Sequence, residues 1–180
     1  MKKNYLNQIA LGLGLAVLLN GGLMAQQSKG GNYVQPNAAG GVSAGSARAG
    51  KTVTGATYGR SSGVVTDASG NVAAASGGAV KTANGATAAR GSRTTRVAGG
   101  GVNRTSGASA QGINGAASTS GSTTVNRDGS ISANRTNDVK GVKGSYTGAT
   151  TYATGQGLTH TKTCKDPAGN VVPCPKAPKQ

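Results

Sequence analysis

Gly45-Ser46-Ala47-Arg48-Ala49-Gly50-Lys51-Thr52 satisfies the phosphate-loop pattern G-x-x-x-x-G-K-[ST], in which backbone amides between a strand and a helix cradle phosphates. The residues before it are Gly, Ala and Ser, and the following TVTGATYGR is a poor helix. Nucleotide chemistry is therefore not expected. GVSAG around Ser43 and GRSSG around Ser61 satisfy G-x-S-x-G, with Asp residues and His160 following in hydrolase order. That elbow works only on a strained strand-to-helix turn in a large α/β sheet, and no segment here reads as a helix.

General acid-base work needs titratable groups paired in a shielded pocket. The carboxylates are Asp67, Asp128, Asp138 and Asp166, the chain has no Glu, and His160 is its one His. Neither an enzyme, a cofactor nor a metal site is expected from so scattered a set. Cys164 and Cys174 bracket KDPAGNVVP and read as a disulfide across a hairpin in an exported chain. Asn103-Arg104-Thr105 and Asn134-Arg135-Thr136 match the N-glycosylation acceptor pattern, which has meaning only in a eukaryotic secretory pathway.

Export is read from the start of the chain. Lys2 and Lys3 precede an apolar run from Ile9 to Leu19, followed by Asn20, Gly21 and Gly22. This is the pattern of a signal peptide over residues 1–25, cleaved after Ala25, and the run is too short to span a bilayer. No Cys follows the run to accept a lipid, so the expected address is the periplasm, the cell surface or the extracellular space.

Beyond Ala25 the apolar inventory is thin: Leu158, Ile113, Ile131, four Tyr, and otherwise Val and Ala, with no Phe, Trp or Met. Such side chains bury little area, and 32 Gly raise the entropy lost on ordering. Disorder is accordingly expected for residues 26–50, a Gly/Ala/Ser linker, and for the Pro/Lys tail. Residues 51–160 read as a repetitive turn-rich region, and 161–180 as a disulfide-closed hairpin with its tail.

The element that repeats is a turn. Asp67-Ala68-Ser69-Gly70-Asn71-Val72 and Asp166-Pro167-Ala168-Gly169-Asn170-Val171 are nearly one phrase, with looser copies at 82–87 and at 126–131, the latter carrying Asp128 and Gly129. An Asx side chain binding the turn's backbone and a Gly at positive φ describe a type I hairpin turn followed by a left-handed residue. Thr and Val between the turns support strands. The expected fold is mainly β hairpins in a low-complexity chain, a degenerate β-ribbon or solenoid, with turns too unevenly spaced for a strict period.

Charge points to the partner. The formal net charge is +15 at pH 7, with Lys2 and Lys3 of the leader supplying two. Arg90, Arg93, Arg96, Arg104, Arg127, Arg135, Lys140 and Lys143 are the expected polyanion-binding residues, the densest run being ARGSRTTRVAGGGVNR. Guanidinium forks on a Gly-rich backbone suit extracellular DNA, acidic polysaccharide or anionic lipid headgroups, with binding that weakens as salt rises. Self-assembly of stacked strands is also considered, opposed by the uncompensated charge unless an anion is recruited. A second function class is a small β module for glycan or ice, using the alternating Thr159, Thr161 and Thr163.

Overall fold

The structure, a computed structural model, describes residues 29–175. The expected signal peptide over residues 1–25, residues 26–28 and residues 176–180 of the tail lie outside the described residues. Eleven strands follow in chain order: β1 (Lys29–Pro36), β2 (Val42–Lys51), β3 (Thr57–Thr66), β4 (Val72–Lys81), β5 (Thr87–Arg96), β6 (Val102–Gly112), β7 (Gly115–Val125), β8 (Ile131–Gly141), β9 (Gly144–Ala153), β10 (Gly157–Lys165) and β11 (Val171–Val172). Each pairs antiparallel with the next, giving one open sheet in the order β1 to β11. Short polar turns dictate this meander, because only antiparallel neighbours can be joined by so few residues.

The repeated phrase is a closing device. In the turn at 67–71, Gly70 N–H donates to Asp67 O (3.1 Å) and Asp67 N–H to Asn71 O (3.2 Å). Gly70 has φ 79, the left-handed value that favours glycine. Asp67 Oδ1 accepts from the backbone of Ser69 (2.9 Å) and Asn71 (3.0 Å), while Asn71 Nδ2 donates to Asp67 Oδ2 (2.7 Å). The same Asp-Asn clasp closes β10 onto β11 through Asp166 and Asn170. In the turn at 126–130, Asp128 Oδ1 instead takes the backbone N–H and hydroxyl of Ser130, and Gly129 holds φ 81.

The turns are more regular than the sequence suggests. They open at Asn37, Thr52, Asp67, Thr82 and Val97, an interval of 15 residues. The expectation of uneven spacing is thus corrected over this half of the chain. Beyond Val97 the interval becomes uneven, because Ile113-Asn114 and Val142-Lys143 connect their strands with two residues and Thr154-Gly155-Gln156 with three, instead of five. Turns at one end of the sheet also bind one another: Ala68 N–H donates to Ala39 O (2.9 Å), and Ala98 N–H to Asn71 Oδ1 (2.9 Å). Asn71 therefore serves its own turn and the next.

The segment 26–50, expected to be flexible, is corrected from Lys29 onward: it forms β1 and most of β2. Asn37 is the reason. Its Oδ1 accepts from Ala39 and Gly41 N–H, and its Nδ2 reaches Thr66 O on β3 (2.8 Å). The first hairpin is thereby fastened to the third strand.

Burial is slight, in keeping with the thin apolar inventory. Among the described residues only Val65, Ala73 and Cys164 are buried apolar residues, so the backbone ladders and turn caps carry the fold in place of a packed second layer. The disulfide joins Cys164 to Cys174, with Cα atoms 5.2 Å apart. It secures β11, whose two residues pair with β10 only at Cys164 and Lys165.

The turn carboxylates give the sheet a defined acid response. Asp67 and Asp166 titrate below the ordinary 3.8 because the Asn71 and Asn170 side chains donate to their ionised forms, and Asp128 does so through Ser130. A carboxylate with a depressed folded-state pKa contributes stability that is complete above its unfolded value and lost as pH falls through the folded one. Turn amides should therefore stay protected from exchange down to the ordinary Asp range and open below it. Amide exchange between pH 5 and 2 reads this out; opening that begins well above 3.8 would contradict the assignment.

Candidate functional site

Side chains alternate between the two faces of each strand, so the registers fix which residues share a face. Asn32, Ser46, Ser62, Ser76, Ser92 and Ser106 are successive cross-strand partners. Within this row Ser46 bonds Ser62 (2.9 Å) and Ser76 bonds Ser92 (3.1 Å). The row continues through Gly121, Arg135 and Thr150 to His160, whose Nδ1 meets Thr150 Oγ1 at 2.9 Å. A largely polar belt thus crosses ten strands, with hydroxyls on β2 to β6 and on β9.

Around this belt the sheet is concave. One hollow of about 1070 Å3 is lined by residues from every strand between β1 and β10, from Asn32 to Leu158. A flat sheet has no such hollow, so the strands curl about it, as twisted strands without a covering layer do. Two smaller depressions open on the same face. One of them, about 660 Å3, is floored by Tyr58, Val80, Ala88, Ala110, Ala117 and Val139.

Five arginines line the main hollow: Arg48 on β2, Arg60 on β3, Arg90 on β5, Arg104 on β6 and Arg135 on β8. Arg48 and Arg60 are direct cross-strand partners, an arrangement of like charges that costs stability. Gly78 separates Arg60 from Arg90 in the next row, so the two guanidinium side chains are not direct cross-strand partners. Arg135 Nε donates to Thr119 Oγ1 (3.1 Å) and lies 3.4 Å from Asn137 Oδ1, which orients its guanidinium. None of the four aspartates lines the hollow: Asp67, Asp128 and Asp166 cap turns, and Asp138 bonds Thr147 Oγ1 on the opposite face. The hollow thus sets guanidinium groups beside neutral hydroxyls with no carboxylate in its lining, which is donor chemistry of the kind anions accept from.

The expected basic residues divide. Arg90, Arg104 and Arg135 lie in the hollow, and Arg96 shares their face near the strand end but lies outside it. Arg93 lies on the opposite face of β5, in the row that runs from Tyr33 through Gly45, Gly63 and Ala75. Arg127 and Lys143 occupy turns at opposite ends of the sheet, and Lys140, next to last in β8, lies on the face away from the hollow. Arg48 and Arg60 join the site although their isolation in the sequence gave no reason to group them.

The pattern matches of the sequence are not brought together. Gly45–Lys51 lies within β2, where its amides belong to the strand ladders and not to a cradle. Ser43 and Ser61 lie on the face opposite His160, near the other edge of the sheet. Among the described residues no group of three or more His, Cys, Asp or Glu could hold a metal ion, and no helix is long and apolar enough to cross a membrane.

Thr159, Thr161 and Thr163 stand on that opposite face of β10, beside Thr151 and Thr147 of β9. Ser118, Ser120 and Ser122 of β7 and Thr136 of β8 extend the hydroxyl surface across four strands, with Ser120 bonding Thr136 at 2.7 Å.

No protein-family model, curated protein or solved structure matches the chain.

Proposed function

We propose that the chain is an exported, non-enzymatic surface or matrix protein that holds a strand of acidic polymer in the concave face of its sheet. The observation that carries this reading is the convergence of Arg48, Arg60, Arg90, Arg104 and Arg135 from five strands into a hollow that no carboxylate lines. The disulfide fits an oxidising compartment outside the cytoplasm.

Size and lining select among polyanions. A hollow of about 1070 Å3 takes a few sugar rings or nucleotides but not a duplex. Tyr152 is the one aromatic residue in its lining, whereas single-strand nucleic-acid binders stack successive bases on several. Serine hydroxyls beside guanidinium forks suit the carboxylates or sulfates and the hydroxyls of an acidic polysaccharide. Titration with a labelled polyuronate, single-stranded DNA, duplex DNA and anionic vesicles tests this. The polyuronate should bind tightest and the duplex weakest, with each affinity falling as salt rises. Equal affinity for all four at every salt concentration would refute a selective hollow.

The hydroxyl surface of β7 to β10 supports a second reading, a neutral glycan- or ice-binding face. Its regular rows of Thr and Ser carry no arginine between Ser118 and Ser122 or between Thr159 and Thr163. Binding there should be indifferent to salt, which separates it from the first reading.

A further inference from the structure

Among the described residues both long edges of the sheet are open. β1 pairs only with β2, and β11 covers β10 only at Cys164 and Lys165. In an antiparallel pair, residues alternate between bonding their partner and directing N–H and C=O away from it. The bond from Asn37 N–H to Gly41 O closes the first hairpin; it therefore leaves Gly30, Asn32 and Val34 directing these groups outward from β2. At the far edge the bond from Asp166 N–H to Asn170 O places Cys164 toward β11. Leu158, His160 and Lys162 consequently direct theirs to the same side, where β11 pairs with none of them.

We propose that β10 of one copy pairs antiparallel with β1 of a second copy, with Leu158 opposite Val34, His160 opposite Asn32 and Lys162 opposite Gly30. Every outward backbone group of one edge then meets one of the other. β1 and β10 run in opposite directions because each strand reverses the last, so the antiparallel pattern continues across the junction. Val34 is 76% exposed and Leu158 70% exposed. They end the same cross-strand row on the concave face, and the junction covers each with the other.

The register is fixed from both sides. Sliding β1 two residues one way sets Gly30 opposite Cys164, where Val172 already sits, and Pro36, which has no N–H, opposite Leu158. Sliding it two residues the other way sets Leu158 opposite Asn32 and shortens the ladder. A one-residue slip turns Val34 to the wrong face. The charges, bulges and prolines that usually blunt an edge are absent between Gly30 and Gln35 of β1. Since the two edges differ, the contact is head-to-tail and propagates into filaments unless its rotation closes a ring. Successive arginine hollows then adjoin, since Asn32 and Leu158 line opposite ends of each. The formal charge of +15 opposes this contact in low salt.

The test is disulfide trapping in the full chain carrying V34C and L158C together, oxidised mildly in salt that screens the net charge. A ladder of covalent multimers on a non-reducing gel, growing with protein concentration, is the expected result. K162P in that background removes an outward N–H that β9 does not use. It should lower the ladder yield about tenfold or more while leaving the β circular dichroism intact. An internally bridged monomer at every concentration would mean that one chain closes on itself and would overturn the proposal, as would no bridge at all or a K162P chain that ladders undiminished. Sedimentation of the unsubstituted chain gives an independent check. Mass above the monomer that rises with concentration supports the contact, and a monomer throughout refutes it.

Discussion

Replacing Arg60, Arg90, Arg104 and Arg135 together by Ser is expected to lower affinity for an acidic polysaccharide by about 10²–10³ in low salt, and to flatten the dependence of log affinity on log salt by about three units. The four side chains come from four strands but line one hollow, so a single polymer strand loses all of them at once. The control removes the same charge elsewhere, at Arg96, Arg127, Lys140 and Lys143. These positions do not line the hollow, and their loss should weaken binding less than about tenfold through the long-range field alone. Misfolding would not explain the first result, because removing Arg60 relieves the repulsion of its partner Arg48. Equal losses from both sets, read by polysaccharide titration, would show that net charge and not the hollow governs binding.

The largest effect on stability is expected at Gly144, which opens β9 after the two-residue turn Val142-Lys143. Its φ is 125, and a Cβ built there runs into the backbone carbonyl of Lys165 on β10. That carbonyl cannot withdraw without breaking the ladder from which the disulfide-closed hairpin hangs. Gly144→Ala should therefore cost about 2–4 kcal/mol, combining positive-φ strain with a backbone clash. Gly85 also holds a positive φ, 82, but nothing lies within 4 Å of an added Cβ. Gly85→Ala should cost only about 1 kcal/mol, the intrinsic penalty of the left-handed conformation. Urea unfolding of the two variants compares them directly, and equal costs would remove the close approach of β9 to β10 from the explanation.

The sequence by itself determined the local chemistry. Asp67 with Gly70 and Asp166 with Gly169 announce their turns because an Asx acceptor and a left-handed glycine act within five residues, a range over which spacing alone decides contact. Cys164 and Cys174 are legible for the same reason, lying either side of one such turn. Disorder over Lys29 to Gly50 is the misleading expectation. Composition measures what a segment can bury, whereas β1 and β2 are held by ladder bonds and by Asn37 reaching Thr66, 29 residues away.

The tertiary structure alone decided the site. With a repeat of 15 residues, an odd number, equivalent positions in successive units face opposite sides of the sheet. Linear proximity therefore misleads: Arg90 and Arg93 are three residues apart on opposite faces, while Arg48 and Arg135 lie far apart in the chain and line one hollow. Facing is set by register, and register is summed over every turn between two residues, including the three short ones that break the period. The curl that turns a shared face into a concave site is a property of the whole twisted sheet, which no single strand encodes.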